Sequence, residues 1–213
     1  MKQYEKIETV FCRDTNGTKR LILNDYHNPT IAYLKDNVWL FTEKVDGTNI
    51  RVHWDGHKVE FGGRTDKAQI PGFLLSKLNE MFATSEVEEL FEQTWGDKEV
   101  ILFGEGYGPK IQNGGDYRSD VSFILFDVLV GANYQEREWV EKTARMFGID
   151  VVPIVLTGTI QDGIDYVMKH PQSTMGTAMM EGVVGRPMIE LRDRRGERVI
   201  VKIKWEDFKH FAT

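Results

Sequence analysis

The sequence predicts an α+β fold with mainly antiparallel sheets flanked by helices, and three observations carry this prediction. Stretches rich in Val, Ile and Phe, which are typical of half-buried strands, recur along the 213 residues. Several of these stretches are separated by tight turns such as Asp55-Gly56, which favour antiparallel hairpins. Helical periodicity is confined to a few stretches, so strands and helices do not alternate as they do in a doubly wound parallel sheet.

The strands follow one another through short connections. One pair flanks the turn Asn16-Gly17 and another flanks Asp55-Gly56, so we expect both pairs to form hairpins. The predicted strands are residues 6–13, 19–23, 38–45, 49–54, 58–61, 99–103, 121–130, 179–184 and 198–205.

The helices are indicated by their apolar spacing and by residues typical of helix ends. Ser85 and Glu88 have the spacing of a capping box, which predicts that a helix begins at Ser85. Asn133 predicts the start of a later helix, and Gly148 predicts its end. The predicted helices are residues 73–82, 85–95, 133–147 and 160–169.

The composition excludes several classes of protein. The formal net charge of −6 argues against a polybasic nucleic-acid coat, so any nucleic-acid site must be a local basic patch. Cys12 is the only cysteine, which excludes disulfide frameworks and multi-cysteine zinc sites. No apolar run approaches 18 residues, and the N-terminus lacks the apolar stretch of a secretory signal. We therefore expect a cytoplasmic protein without a membrane partner. We also expect it to be a monomer.

The most informative motif is the stretch from Phe41 to Asn49, in which a lysine precedes an Asp-Gly dipeptide. Taken alone, Asp46-Gly47 between apolar strands indicates a hairpin turn before it indicates a site. Further motifs follow it in the chain. They are Arg64 in Phe61-Gly62-Gly63-Arg64-Thr65, Glu105 in Phe103-Gly104-Glu105-Gly106, Phe126-Asp127 in an apolar strand, Glu181 in Met180-Glu181-Gly182, and Lys202-Ile203-Lys204.

These motifs, in this order from Glu43 to Lys204, resemble those of the covalent nucleotidyltransferases. That superfamily contains the ATP-dependent DNA ligases, the RNA ligases and the mRNA capping enzymes. The pattern Lys-x-Asp-Gly-Thr-Asn ending at Asn49 is similar to RNA ligases of the double-strand-sealing branch, whereas DNA ligases and capping enzymes usually carry Arg there. The resemblance implies one nucleotidyltransferase domain over residues 1–213, with an ATP-grasp-like ligase (adenylyltransferase) fold. Because only nine residues follow Lys204, we expect no C-terminal OB-fold or other accessory domain.

The resemblance also implies the roles of individual side chains. Lys44 would form a covalent adduct with AMP from ATP, and Asp46, Glu105 and Glu181 would hold Mg²⁺ or Mn²⁺, largely through water. The remaining implied contacts are Glu43 with the adenine amino group, Phe126 with the adenine ring, Glu105 with the ribose, Arg64, Lys202 and Lys204 with phosphate, and Asn49 with the 3′-hydroxyl end of the strand being sealed.

The residue types fit these roles on chemical grounds. An unperturbed lysine has a pKa near 10.4, so only roughly 0.1% of it is neutral and nucleophilic at about pH 7.4. Nearby ammonium groups favour the neutral form, and Lys202 and Lys204 can supply them. Strand alternation places these two lysines on one face and their apolar neighbours on the other. The same alternation sends Asp127 to the face opposite Phe126.

The function that follows from the resemblance is ATP-dependent RNA ligation in RNA repair. The 3′-hydroxyl and 5′-phosphate ends of RNA would be joined through lysyl-AMP and an adenylylated 5′-end. A minimal DNA ligase is one alternative, opposed by Asn49. A non-catalytic nucleotide-binding or RNA-end-binding module is another, disfavoured because Lys44 and the acidic and basic motif residues are all present.

A basic segment near the end of the chain has two interpretations. Residues 186–204 carry seven Arg and Lys against three Asp and Glu, which makes the segment a candidate phosphate-binding surface. The stretch around Gly196 is equally typical of a charged hairpin turn.

Overall fold

The structure is a computed structural model that describes residues 1–211. Its strands are β1 (Phe11–Arg13), β2 (Leu21–Tyr26), β3 (Trp39–Glu43), β4 (Thr48–Trp54), β5 (Val59–Gly62), β6 (Val100–Tyr107), β7 (Ser122–Val130), β8 (Asn133–Tyr134), β9 (Asp150–Val151), β10 (Ile154–Gly158), β11 (Gly182–Pro187) and β12 (Val201–Lys204). Its helices are α1 (Pro29–Leu34), α2 (Gly72–Phe82), α3 (Ser85–Trp95), α4 (Arg137–Phe147), α5 (Ile160–Met168) and α6 (Trp205–Phe208), with a 3-10 helix at Gly114–Asp116.

The strands form three sheets that are almost entirely antiparallel, which confirms the predicted α+β class. The chain divides into two compact units. The six-stranded unit comprises Met1–Glu5 and Asp46–Val152, and the four-stranded unit comprises Lys6–Val45 and the chain from Pro153 onward. The prediction of a single nucleotidyltransferase domain stays a prediction.

The four-stranded unit is built on a sheet with the strand order β10-β3-β11-β12, beside a two-stranded sheet of β1 and β2. Because β11 runs antiparallel to both β3 and β12, the end of β3, the start of β11 and the end of β12 meet at one edge of the sheet. The core consists of apolar side chains from both sheets and from α1, α5 and α6. Its buried members include Phe11, Ile31, Trp39, Phe41, Ile160, Ile164, Val183, Val201, Ile203 and Phe208.

The six-stranded unit has the strand order β5-β4-β6-β7-β8, and β9 pairs in parallel with β7. Helices α2, α3 and α4 contribute apolar side chains to the core of this unit. The buried core includes Ile50, Val52, Trp54, Leu74, Leu78, Phe82, Phe91, Leu102, Phe123, Leu125 and Val140. A smaller cluster of Ile101, Phe103, Leu129 and Tyr134 packs with Tyr4 and Phe126.

All four predicted helices are present, but the predicted cap of α3 and the predicted start of α4 were wrong. Helix α3 is capped by Thr84, whose side chain accepts a hydrogen bond from the Val87 N–H, so the cap lies one residue before Ser85. Asn133 belongs to strand β8, which pairs with the end of β7, and α4 begins only at Arg137. The predicted end at Gly148 is confirmed, since this residue adopts the left-handed conformation with φ of 62°.

The two predicted hairpins are present, since β1 pairs with β2 and β4 pairs with β5. The hairpin interpretation of Asp46-Gly47 was wrong. Strand β3, which precedes this dipeptide, pairs with β10 and β11, whereas β4, which follows it, pairs with β5 and β6. The chain therefore passes from one compact unit to the other between Val45 and Asp46.

None of the helices within residues 1–211 has both the length and the apolar composition needed to cross a membrane.

Candidate functional site

Lys44 lies directly after β3, at the edge where β3, β11 and β12 meet. Its Nζ donates to Oε2 of Glu181 across 2.6 Å, and Oε1 of the same carboxylate lies 2.7 Å from Nζ of Lys204. One carboxylate therefore holds two ammonium groups, one on each oxygen. The three side chains are partly shielded, with exposed fractions of 28% for Lys44, 17% for Glu181 and 31% for Lys204. The structure thus brings together three of the predicted site residues.

The backbone of β11 fixes this arrangement. The N–H of Lys44 donates to the Gly182 carbonyl across 2.9 Å, and Gly182 lies opposite Lys204 in the β11–β12 ladder. A Cβ at Gly182 would lie 2.1 Å from the Ile203 carbonyl oxygen, so a side chain cannot be accommodated there without moving the strand. Gly182 therefore allows the close strand approach that sets Glu181 between the two lysines.

Lys202 lies on the same face of β12 as Lys204. Val201 and Ile203 are fully buried, whereas the two lysines are half-buried, which is the predicted alternation. Burial lowers the pKa of Lys202, and the positive charges of Lys44 and Lys204 lower it further. Three lysines thus lie close enough to influence one another, and such a concentration of positive charge suits phosphate binding.

Glu43, the last residue of β3, is a buried carboxylate with a 1% exposed fraction. Its Oε2 accepts hydrogen bonds from Thr174, from the hydroxyl across 3.1 Å and from the backbone N–H across 3.3 Å. Its Oε1 is buried and has no hydrogen-bond partner within residues 1–211. A half-satisfied buried carboxylate is costly to folding unless something else donates to it, so it indicates a ligand contact. The sequence offered no signal for Thr174.

Asn49 and Glu105 lie opposite each other on β4 and β6 of the six-stranded unit. The Asn49 Oδ1 is buried and has no hydrogen-bond partner in the described part of the chain. Gly47 approaches the same strand closely, since a Cβ there would lie 2.4 Å from the Gly106 carbonyl oxygen and 2.8 Å from Cγ of Glu105. Glycine in the Asp-Gly dipeptide is therefore required by packing against β6.

Asp46 is held by the loop that contains the 3-10 helix. Nδ2 of Asn113 donates to Oδ2 of Asp46 across 3.0 Å, and the Asp46 N–H donates to the Tyr117 hydroxyl across 3.3 Å. Gly114 packs so tightly on Gly108 that a Cβ at Gly114 would lie 2.4 Å from the Gly108 carbonyl oxygen. This loop therefore orients Asp46, a contribution that the sequence did not indicate.

The prediction that Asp127 lies on the face opposite Phe126 was wrong. The Tyr4 hydroxyl donates to Oδ2 of Asp127 across 2.8 Å, and the Tyr4 ring packs edge-on against Phe126 with centroids 5.0 Å apart. The register between β6 and β7 shifts at this point, because Phe103 lies opposite Asp127 while Gly104 lies opposite Leu125. This β-bulge breaks the strict alternation, so both side chains contact Tyr4.

Arg64 is exposed in the bend after β5, and the buried Arg51 shapes that bend. Arg51 donates from Nε to the Gly63 carbonyl across 2.7 Å and from a terminal nitrogen to Oδ1 of Asp66 across 2.9 Å. It also donates to the Met1 carbonyl across 3.1 Å. Arg51 thereby ties the N-terminus and the bend to β4. No pattern in the sequence distinguishes an arginine of this kind inside a strand.

The basic segment forms a hairpin around Gly196. Arg192 pairs with Arg198, and Arg198 is buried in a two-point ion pair with Glu190 in which the second contact spans 3.0 Å. The hairpin interpretation is therefore confirmed as local structure. Arg192, Arg194 and Arg195 are exposed on it.

The predicted metal ligands are Asp46 and Glu105 in the six-stranded unit and Glu181 in the four-stranded unit. Carboxylates are the ligands that Mg²⁺ and Mn²⁺ prefer, so the donor chemistry fits. Within residues 1–211, no group of three or more His, Cys, Asp or Glu side chains is placed to hold a metal ion directly. The expected contact largely through water stays a prediction.

Comparisons with known proteins give the following matches. A family model described as RNA ligase matches residues 37–204. No curated protein matches the chain.

Three of the matching solved structures are mutants of the RNA ligase of Naegleria gruberi. One without ligand is 16% identical over 100% of this chain and 58% of that chain, with a TM-score of 0.69. One with ATP and Mn is 18% identical over 97% and 57%, with a TM-score of 0.67. One with AMP and Mn is 16% identical over 99% and 58%, with a TM-score of 0.69.

At these identities the structural matches show a shared fold. The chain spans less than three fifths of the length of these solved structures.

Proposed function

The chain belongs to the RNA ligase family, and on this premise we propose that it is an ATP-dependent ligase that joins the 3′-hydroxyl and 5′-phosphate ends of RNA. The observation that carries the proposal is the contact of Glu181 with both Lys44 and Lys204 at one sheet edge. The solved Naegleria ligase structures with ATP and Mn, and with AMP and Mn, support the choice of nucleotide and metal.

In the first step, Nζ of Lys44 attacks the α-phosphorus of ATP. A phosphorus–nitrogen bond forms, the bond to the pyrophosphate oxygen breaks, and pyrophosphate leaves. Attack requires the neutral amine. In this structure Nζ of Lys44 is held by the Glu181 carboxylate, so it must leave this contact before it can attack. Release of Lys44 from Glu181 is therefore part of this step.

Lys202 and Lys204 stabilise the negative charge that develops on the phosphate oxygens. Both project from the half-buried face of β12, beside Lys44. Their ammonium groups are fixed by the strand before the reaction begins, and prearranged charge of this kind is a large contribution to phosphoryl-transfer catalysis. Glu43, with its buried Oε1, accepts a hydrogen bond from the adenine amino group.

In the second step, an oxygen of the 5′-phosphate end of RNA attacks the adenylate, and the phosphorus–nitrogen bond to Lys44 breaks. In the third step, a 3′-hydroxyl attacks the activated 5′-phosphate and AMP leaves. The proposal keeps the roles that the family resemblance implies for Asn49 at the 3′-hydroxyl end, Arg64 at phosphate, Glu105 at the ribose and Phe126 at the adenine ring. It also keeps membership of the double-strand-sealing branch and a role in RNA repair.

Asp46, Glu105 and Glu181 would hold the divalent cation. When bound, Mg²⁺ or Mn²⁺ supplies positive charge that polarises the phosphate oxygens. In this structure both oxygens of the Glu181 carboxylate contact ammonium groups, one of Lys44 and one of Lys204. Glu181 would therefore have to leave one of these lysines to hold the cation. The proposal further includes action as a monomer in the cytoplasm, with one nucleotidyltransferase domain.

Intact-mass measurement after incubation with ATP and Mg²⁺ or Mn²⁺ tests the first step. We expect the wild-type chain to gain one AMP, Lys44→Ala to gain none, and Lys98→Ala, which alters an exposed lysine of the six-stranded unit, to behave as wild type. A wild-type chain that binds ATP without an adduct would instead be a nucleotide-binding module.

Sealing assays then test the substrate. We expect sealing of a nicked duplex with RNA at the 3′-hydroxyl end to exceed sealing of single-stranded RNA. A strict preference for DNA 3′-hydroxyl ends would identify a DNA ligase and contradict the proposal. Size-exclusion chromatography with light scattering tests the monomer.

A further inference from the structure

The side chain of Glu43 is fixed asymmetrically. Both donors of Thr174 reach the same oxygen, Oε2, while Oε1 is buried and has no partner within residues 1–211. A carboxylate can turn about its terminal bond, so the covalent geometry of Glu43 alone does not fix the direction in which its two oxygens point. Thr174 fixes this direction, because its two hydrogen bonds hold one oxygen in place and thereby set where the other oxygen lies.

Thr174 itself is held by a compact loop between α5 and β11. Gln172 pairs with Met179 in an isolated bridge, and the Ser173 N–H donates to the Ala178 carbonyl across 2.8 Å. The Ser173 hydroxyl accepts from the Met175 N–H across 3.0 Å. Contacts on both sides of Thr174 therefore hold its backbone in place opposite Glu43.

A carboxylate oxygen accepts hydrogen bonds and cannot donate them while ionised. In a buried position, it favours a ligand that donates there, such as a 6-amino purine. It disfavours a ligand that places an acceptor there, such as the oxygen of a 6-oxo purine, because two acceptors then face each other without a proton.

Resting on the proposed function, we propose that Thr174 is a positioning residue for nucleotide selection, which holds Glu43 so that Oε1 distinguishes ATP from GTP. Thr174 acts through Glu43 and not by contact with the reacting phosphate. Loss of its hydroxyl lets the carboxylate turn, so both the affinity for ATP and the discrimination against GTP fall.

The test compares wild type, Thr174→Val and Thr174→Ser. Calorimetry gives the dissociation constants of ATP and GTP, and the rate of adduct formation gives kcat and KM for each. A hydrogen bond to a charged group accounts for roughly tenfold or more in affinity, so we expect Thr174→Val to lower the ATP-to-GTP preference roughly tenfold. The change should be mainly in KM, and Thr174→Ser, which restores the hydroxyl, should retain the wild-type preference.

Purine riboside triphosphate, which lacks the amino group, separates positioning from general damage to the fold. If Thr174 acts through Glu43 on that amino group, Thr174→Val weakens ATP binding but leaves binding of this analogue unchanged. A variant that weakens both equally would overturn the inference, as would a Thr174→Val protein with the wild-type ATP-to-GTP ratio. Thr157→Val alters an exposed threonine on β10 and serves as the matched control.

The two proposals fail in different ways. Binding that discriminates ATP from GTP through Thr174, without formation of an AMP adduct, would overturn the ligase proposal and support the inference. Adduct formation with unchanged selectivity in Thr174→Val would overturn the inference alone.

Discussion

Lys44 donates to Glu181 across 2.6 Å, and the same carboxylate contacts Lys204 across 2.7 Å with its other oxygen. The nucleophile that the family resemblance implies is therefore paired with one of the carboxylates implied to hold the metal. If the proposed function is right, Lys44 must leave Glu181 before it attacks ATP, and the Glu181 carboxylate must change partners to hold a metal.

Glu181→Gln should lower both stability and adduct formation. The amide keeps the size of the side chain but removes the negative charge between two ammonium groups that also lie near Lys202. Because the pair is partly shielded, we expect the free energy of unfolding to fall by about 1–3 kcal/mol in urea titrations. The rate of adduct formation should fall roughly 100-fold or more.

The control is Glu197→Gln, which alters an exposed carboxylate of the basic hairpin and should leave both the free energy of unfolding and the rate of adduct formation unchanged. Faster adduct formation in Glu181→Gln would show that Glu181 only restrains Lys44.

Lys202→Met should separate stability from activity. Burial, followed by the charges of Lys44 and Lys204, lowers the pKa of Lys202 below its ordinary value of 10.5. Between the lowered and the ordinary pKa the unfolded chain binds more protons, so the Lys202 contribution to stability rises with pH through this window and is unfavourable at neutral pH. We expect Lys202→Met to unfold at an equal or higher urea concentration than wild type at about pH 7, with the difference shrinking towards about pH 10.

The same variant should form the AMP adduct roughly 100-fold more slowly, because a fixed positive charge at the phosphate is lost. Lys169→Met, at an exposed lysine after α5, is the control and should match wild type in both measurements. A Lys202→Met protein that is markedly less stable at neutral pH would contradict the sign derived from the Lys202 pKa.

Much of the fold was predictable, because the strand alternation, helical periodicity and turn residues seen in the sequence match the elements that form. The strand β12 shows this well: alternation alone predicted that Lys202 and Lys204 share a face, and the burial of Val201 and Ile203 confirms it. The motifs identified the candidate site residues in the sequence. The structure brings three of them, Lys44, Glu181 and Lys204, together at one edge of the four-stranded sheet.

Most of the features that sequence reasoning missed depend on long-range contacts, and helix α1 is the exception. Helix α1 is short and is started by the Asn28 side chain, which accepts from the Thr30 N–H, followed by Pro29. Its capping signal is local, but its apolar face is too brief to stand out. Thr174 and Arg51 contact partners that are distant in sequence, and the bulge at Phe126 arises from strand pairing. Contacts of this kind leave no periodic pattern in the amino-acid sequence.

Gly47→Ala should destabilise the six-stranded unit. The new Cβ would lie 2.4 Å from the Gly106 carbonyl oxygen, and backbone in a sheet cannot move away freely. We expect a loss of about 1–3 kcal/mol in the free energy of unfolding, measured by urea titration. Gly72→Ala is the matched control, since a Cβ at Gly72 meets nothing within 4 Å at the start of α2. Equal stability of the two variants would contradict the packing argument.

Tyr4→Phe tests the hydrogen bond that the Tyr4 hydroxyl donates to Asp127, next to Phe126. The substitution keeps the ring that packs on Phe126 but removes the hydroxyl that donates to Asp127, a fully buried carboxylate. Removing the donor from a buried acceptor costs about 1–3 kcal/mol, and we expect the free energy of unfolding to fall by that amount. Tyr33→Phe, at a tyrosine with an 86% exposed fraction, should change it by less than about 0.5 kcal/mol. If Tyr4→Phe is as stable as wild type, the Tyr4 hydroxyl does not stabilise the Asp127 carboxylate, and the contact of both side chains with Tyr4 is packing alone.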